Sequence, residues 1–472
     1  MSLSPDDFNF LKDLMQRLED VPLQPGDGLY EPIYSAHGCE DPVALLENRI
    51  RLSTTQSVQF FSGFRGAGKT TELYRLRQQL EAQGYVVVYG DALEFINPSE
   101  EIDISDLLMG LAGSFSEALK DSATTNLVHE GWFTRFKGFL TRTDVQVPGI
   151  SIKGGVESPG SMLLGGIKTE AELKLAFKNT PSFRHELRTA ITNRLGQFKQ
   201  HVDKFFEDGV TAMRAKHGAD VQIVFLFDQL EQLRGSLLTE DEVLRSVEQL
   251  FTQHLDKLSI PYVHVVYTVP PWLQFIRPGG LNFINLPSVR QWNNDPKRTE
   301  YPPGWKALRA LVVRRFTEDG FRRFFGEAKS TPTKARKPAN KPEPLRHKLA
   351  DELIEYCGGH FRDLLRLLRE TVLRAESLPV TGRETKLAIS AVRESQMAIS
   401  LDDAQWLHRI GQLRDTALKS TGHADVARLT RFLDTHFVLY LRNGKVWYDL
   451  HPLIRSRVEE LVQQQQKFSA KA

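Results

Sequence analysis

The stretch QSVQFFSGFRGAGKTTELYRL, residues 56–76, decides the fold class. Val58–Ser62 reads as a short buried strand. Gly63 to Thr70 then fits G-x-x-x-x-G-K-[ST], and Leu73, Leu76 and Leu80 follow on one face of a helix. Strand, glycine loop and helix in that order are the context a phosphate-binding loop requires. Glycine lets the backbone curl so that successive N–H groups point at phosphate oxygens. The N-terminus of the next helix adds a partial positive charge. The pattern predicts a nucleotide held by Gly63, Phe64, Arg65, Gly66, Ala67 and Gly68, with Lys69, Thr70 and Thr71 at the helix start. Lys69 is expected to reach the β- and γ-phosphates, and the Thr70 hydroxyl to bind Mg²⁺.

Such a loop needs a second acid for the metal, at the end of a buried strand. VQIVFLFD, residues 221–228, is that run, and Asp228 closes it. Asp228 is expected to hold Mg²⁺, directly or through water. Glu231, three residues on, is the candidate to orient and deprotonate the attacking water. YVVVYGD (85–91) and PYVHVVYTV (261–269) read as further core strands, and Phe283–Leu286 as a last one. Strands alternating with helices predict an α/β fold, a parallel sheet with helices on both faces. Ligands of such sheets sit at strand C-termini, which makes Thr268 a candidate contact for the γ-phosphate or the lytic water.

The GFRGAGKTTEL loop, the FLFDQLEQL strand and the YTVP strand resemble the AAA+/STAND superclass of P-loop ATPases. Bacterial STAND-like ATPases and the origin-recognition-type branch of AAA+ are the nearest in kind. The resemblance implies ATP and Mg²⁺ as cofactors, a helical lid after the sheet, a lid arginine (sensor 2) on the γ-phosphate, and a C-terminal winged helix. Gly358-Gly359-His360-Phe361-Arg362 looks like the glycine-then-arginine start of the sensor 2 helix, and Arg362 is the matching position. Many AAA+ proteins carry Glu directly after the strand-terminal Asp. Here Gln229 stands there, which leaves the hydrolysis rate open. Arg277 and Arg290 flank the last strand as candidates for an arginine finger, and Ile33 and Tyr34 are candidate contacts for the base.

Residues 424–435 read as an amphipathic helix, followed by Phe437–Arg442, Asn443-Gly444 and Lys445–Asp449. Two short strands joined by Asn-Gly predict a type I′ hairpin, and HPLIRSRVEELV closes the region as a helix. This order matches a winged helix, whose Arg428, Arg431, Arg442 and Lys445 suit either a phosphate backbone or a protein partner. The chain is thereby divided into a helical preface (1–55), a P-loop core (56–300), a helical lid (301–398) and a winged helix (399–472). Two segments stand apart. Residues 141–179 are glycine-rich and alternate apolar with polar (Val145/Val147, Ile150/Ile152, Leu173/Leu175/Phe177), which predicts an inserted β-hairpin. Residues 329–348 are rich in proline and lysine and read as a linker.

Composition bounds the function classes. The chain has 472 residues, 41% hydrophobic and 25% charged, and a net charge of +2 from 61 basic and 59 acidic residues. Disordered, fibrous and disulfide-scaffold classes are excluded. Near neutrality argues against coating of nucleic acid and leaves a local DNA contact open. Two cysteines, Cys39 and Cys357, point to a reducing, cytoplasmic compartment, and no apolar run is long enough to span a membrane. The leading expectation is an ATP-hydrolysing molecular switch that forms a homo-oligomer and controls a separate effector protein, as in bacterial antiphage defence. The alternative is a DNA-associated AAA+ ATPase, like a replication initiator or transposition regulator, that uses the winged helix. A module that binds nucleotide without turnover is the third reading.

Overall fold

The structure is a computed structural model. It describes residues 3–36, 41–121, 131–142, 169–236, 238–276, 283–295, 297–327, 344–396, 398–420 and 422–469. The chain forms two compact units. One holds residues 44–62 and 76–284; the other holds 1–43, 63–75 and 285–472.

The first of these is built on a sheet. β1 (Ser57–Gly63), β2 (Val86–Asp91), β3 (Ile223–Asp228), β4 (Val263–Val269) and β5 (Phe283–Leu286) lie in the order β2-β3-β4-β1-β5. The pairs β2–β3, β3–β4 and β4–β1 are parallel, as the alternation of strands and helices predicts. Every residue of β3 is buried, so it reads as a continuous apolar run and not as an alternating one. Burying each of its large side chains contributes about 1.5–3 kcal/mol. Because the strands are parallel, Asp91, Asp228 and Val269 close their strands at one edge, with Asp91 directly beside Asp228 in the register.

Five helices surround the strands in sequence: α5 (Ile104–Asp121), α6 (Trp132–Arg142), α7 (Glu170–Asn179), α8 (Pro181–Thr192) and α9 (Leu195–His217), with α10 (Glu240–Gln253) between β3 and β4. Before them in the chain come α1 (Pro5–Arg17), α2 (Ile33–Ala36), α3 (Pro42–Arg51) and α4 (Lys69–Glu81). An aromatic cluster joins α5, α9 and β3. The Phe115 and Phe206 rings stack at 4.3 Å and both meet Phe225. Gly209 is required there, since a Cβ on it would lie 2.4 Å from the Phe115 ring.

Two sequence expectations are corrected in this unit. The second half of the expected 141–179 hairpin is the helix α7. Thr169 and Glu172 form a reciprocal capping box that starts it. Leu173 and Phe177 are four residues apart on its buried face, while Leu175 is exposed. The L-x-L-x-F pattern satisfies a helix as well as a strand, and the cap decides. The first half of that expectation, with Val145, Val147, Ile150 and Ile152, lies outside the described residues. Residues 181–217 carry Phe183, Leu187, Ile191, Leu195 and Val202 near helical spacing, which predicts one long helix; the chain instead forms two, α8 and α9, divided at Asn193–Arg194.

The described residues of the second unit are mainly helical, with one hairpin. The short α11 (Leu273–Ile276), still in the sheet unit, precedes β5 in the chain. After it come α12 (Pro302–Phe316), α13 (Glu318–Phe325), α14 (Lys348–Tyr356), α15 (Phe361–Leu373), α16 (Gly382–Glu394), α17 (Leu401–Leu413) and α18 (His423–Asp434). β6 (Val438–Asn443) and β7 (Lys445–Leu450) pair antiparallel, and α19 (Pro452–Ser469) ends the described chain. The hairpin is where the sequence places it, but its turn differs. A two-residue type I′ turn at Asn443-Gly444 puts Arg442 opposite Lys445. The register instead sets Arg442 against Val446, with Gly444 at the apex at φ +78°. Only glycine adopts that backbone without strain. Among the described residues, no helix is long and apolar enough to cross a membrane.

Candidate functional site

The glycine loop leaves β1 at Gly63 and enters α4 at Lys69. Gly66 and Gly68 take φ of +79° and +87°, the left-handed region that non-glycine residues pay to enter. A Cβ on Gly66 would lie 2.7 Å from Arg362 Cβ and 3.0 Å from the His360 ring. The first residues of α15 therefore pack directly on the loop. The same contact carries a hydrogen bond between His360 Nε2 and the Arg65 carbonyl at 2.9 Å. Arg362 Nε bonds the Asp20 carboxylate. Sequence reasoning missed both His360 and Asp20, because nothing local links positions about 300 residues apart.

Lys69 is buried, and its ammonium donates to the carbonyls of Gly63 at 3.0 Å and Phe64 at 3.1 Å. Thr71 Oγ1 accepts the Leu23 N–H at 3.2 Å. Phe64 turns its buried ring against Tyr440 of β6. Ala67 is buried, and Arg65 is exposed. Tyr34 donates its hydroxyl to the Pro287 carbonyl at 2.8 Å and meets Phe361 edge-on, and Ile33 is buried. The loop fits a phosphate group by two tests of donor chemistry. A primary ammonium is folded over curled backbone, and a 13-residue helix opens at that point with its first N–H groups outside the helical ladder.

Below α4, Arg75 bridges Glu72 and Asp41, with Nη2 at 2.7 and 2.6 Å from their carboxylates. Burial pushes the Glu72 carboxyl up even against this guanidinium.

In the sheet unit, Asp228 is fully buried at the end of β3. Its Oδ2 accepts the Tyr89 hydroxyl at 2.9 Å, and its Oδ1 the Gln229 N–H at 2.8 Å. Gln229 takes φ +72° and hands its side-chain amide to Asp91. Glu231 follows on a short 3₁₀ turn (Leu230–Gln232) and is buried. Thr268 is buried too, and its Oγ1 accepts the Leu230 N–H at 3.2 Å. The structure thus brings Asp228, Glu231 and Thr268 together around one turn, and brings Arg362 to the glycine loop. Asp91 was not singled out from the sequence, although YVVVYGD ends in an acid just as FLFD does. Burial pushes its carboxyl up, with Glu94 and Glu231 adding to the effect.

Of the remaining candidates, Arg290 lies over the Tyr301 ring at 3.5 Å, and Arg277 is outside the described residues, as is most of the 329–348 linker. On α18, Arg428 and Arg431 both bond Asp403, at 2.5 and 3.2 Å. Near the loop, Asp363 of α15 is surrounded by His360, His436 and His451. Burial pushes Asp363 up, but His360 and the imidazole hydrogen bonds outweigh it and hold the carboxyl well below its usual range. Burial, with the neighbouring His360, lowers His436 to about 4.

No protein-family model matches the chain, and no curated protein matches it. Among solved structures it is similar to ORC2 of Aeropyrum pernix in its ADPNP–ADP complexes. The identity is 12% over 96% of this chain and 98% of that one, at a TM-score of 0.39. It is also similar to a Walker-type ATPase of Pyrococcus abyssi, with 12% identity over 94% and 99% and a TM-score of 0.37. The functional reading rests on the residues of the loop and of the sheet edge, not on these scores.

Proposed function

We propose that the chain binds ATP with Mg²⁺ and hydrolyses it, as a molecular switch of the AAA+/STAND kind. One observation carries the reading. G-x-x-x-x-G-K-T lies between a buried parallel strand and a helix N-terminus, with two glycines at positive φ and the lysine folded over the loop. In this reading the loop backbone, Lys69 and the α4 N-terminus bind the phosphates. Thr70 and Asp228 hold Mg²⁺, which supplies charge neutralisation at the transferred phosphoryl group. Glu231 orients and deprotonates water. Arg362, already against the loop, supplies the lid's positive charge.

The proposed organisation is a P-loop core, a helical lid and a winged helix made of α17, α18, β6, β7 and α19. The order helix, hairpin, helix supports the last of these. The switch acts on a partner effector through oligomerisation, and antiphage defence is the setting that the STAND resemblance suggests. The DNA-binding alternative relies on Arg428, Arg431, Arg442 and Lys445 and on the basic linker; the shared engagement of Arg428 and Arg431 with Asp403 weighs against those two as phosphate contacts.

Calorimetry of the full chain with ATP and Mg²⁺ tests the core of the reading. One ATP per chain is expected, with binding lost in Lys69→Ala and phosphate released by the wild type. Folded protein that takes up no ATP at millimolar concentration overturns it.

A further inference from the structure

Asp363 sits in the first turn of α15, 4% exposed, with three imidazoles on one carboxylate oxygen. His360 Nδ1 is 2.9 Å from Oδ2, and His436 Nδ1 and His451 Nε2 are each 3.3 Å away. The surrounding hydrogen bonds decide where the protons are. His451 Nδ1 accepts the Leu453 N–H, so its own proton is on Nε2, shared between the Cys357 carbonyl at 3.1 Å and Asp363. His360 Nε2 faces the Arg65 carbonyl, which can only accept, so Nε2 carries the proton. His360 Nδ1 then faces the Asp363 carboxylate oxygen across 2.9 Å, and a cation, a proton or a metal ion, joins the two.

The dimensions suit a metal ion. Donors bound to one ion at about 2.1 Å are separated by about 3.0–3.4 Å, depending on the polyhedron. The two separations from Asp363, 2.9 and 3.3 Å, match this spacing; the ligating atoms of His360 and His436 lie within 4.8 Å of each other, so an ion has to draw the two imidazoles in wherever they exceed it. Part of an outer shell is in place. Metal-bound imidazoles donate their other N–H to a carbonyl or carboxylate, and ligating carboxylates are themselves hydrogen-bonded. His360 has the Arg65 carbonyl and Asp363 has His451, whereas His436 Nε2 is buried without a partner. The His436 side chain is 13% exposed, which gives an ion a way in.

We propose that His360 Nδ1, Asp363 Oδ2 and His436 Nδ1 form a binding site for one divalent transition-metal ion, zinc by its imidazole and carboxylate donors. The ion ties the start of α15 to His436, two residues before β6, and through His360 it fixes the Arg65 carbonyl of the glycine loop. The site is separate from the Mg²⁺ of the proposed ATP chemistry, and its test does not depend on that chemistry.

The experiment measures metal content of the tag-free full chain, then titrates the chelator-stripped protein with Zn²⁺ and with Co²⁺ as a spectroscopic probe. One equivalent per chain is expected, with a cobalt spectrum of nitrogen and oxygen ligation and a higher melting temperature on loading. His436→Ala weakens binding more than about 100-fold, beyond the 10–100-fold that loss of an outer-shell partner costs. His436→Cys retains binding and adds a thiolate-to-cobalt charge-transfer band. His408→Ala, a half-buried control on α17, changes nothing. Wild-type protein that binds no stoichiometric Zn²⁺ or Co²⁺ overturns the proposal and leaves a proton as the cation. So does stoichiometric binding that both His436 variants leave unaltered. The wild-type titration decides alone if a variant fails to fold.

Discussion

The glycine loop at Gly63–Thr70 and the turn at Asp228–Gln232 carry complementary parts of the proposed chemistry, yet they are held in opposite ways. The turn is braced by neighbouring strands of its own sheet. Tyr89 on β2 bonds Asp228, Asp91 on β2 bonds Gln229, and Thr268 on β4 receives Leu230. The loop is braced from far along the chain. His360 takes the Arg65 carbonyl, Arg362 lies on Gly66, and Leu23 bonds Thr71. Strand register therefore presets the acid, whereas the loop's geometry is tied to the start of α15. In the proposed switch, a loop held by the start of α15 can report its state to that helix. An acid preset by a sheet serves the chemical step in either state.

The comparison breaks most visibly at Lys69. Lys69→Ala removes the ammonium that crosses the loop, and both ATP binding and phosphate release are expected to vanish in calorimetry and release assays. Glu231→Gln comes next. It leaves ATP affinity within a few-fold and lowers turnover by about 100-fold or more. Turnover that survives unchanged removes Glu231 as the base and passes the role to another acid of that edge, with Asp91 the nearest candidate. Gly66→Ala probes the grip of α15 on the loop. Its Cβ meets Arg362 at 2.7 Å, and alanine at φ +79° costs about 1–2 kcal/mol. About tenfold weaker ATP binding is expected, while Asp228 and Glu231 are unaffected.

How far the sequence alone reaches follows the same division. The strands were legible because β-branched and aromatic runs such as IVFLFD leave no polar face for a helix to expose. The loop was legible because its glycines are fixed by local backbone need. What holds the loop was not legible. His360 and Arg65 are 295 positions apart, and a histidine after two glycines reads as an ordinary cap. Two local readings failed for local reasons. Leu173, Leu175 and Phe177 fit period two, but Thr169 and Glu172 cap a helix there. Asn443-Gly444 suggested a two-residue turn, while the register pairs Asn443 with Lys445 and leaves Gly444 alone at the apex. Asp91 was passed over because one strand-terminal acid had already satisfied the motif.

The smallest effect on nucleotide is expected at Thr268, and it separates bracing from chemistry. Its Oγ1 receives the Leu230 N–H, and both residues are fully buried. Thr268→Val keeps the shape and removes the acceptor, so that N–H loses its acceptor at a cost of about 1–3 kcal/mol. The melting temperature falls by several degrees, and ATP affinity stays within about twofold, since the loop draws none of its bracing from this residue. Thr268→Ser restores the acceptor and most of the stability. If Thr268 also touches the γ-phosphate or the lytic water, Thr268→Val lowers turnover by more than the lost stability explains, and Thr268→Ser recovers it. A turnover loss that tracks the melting temperature assigns Thr268 to the sheet's bracing of Asp228 alone.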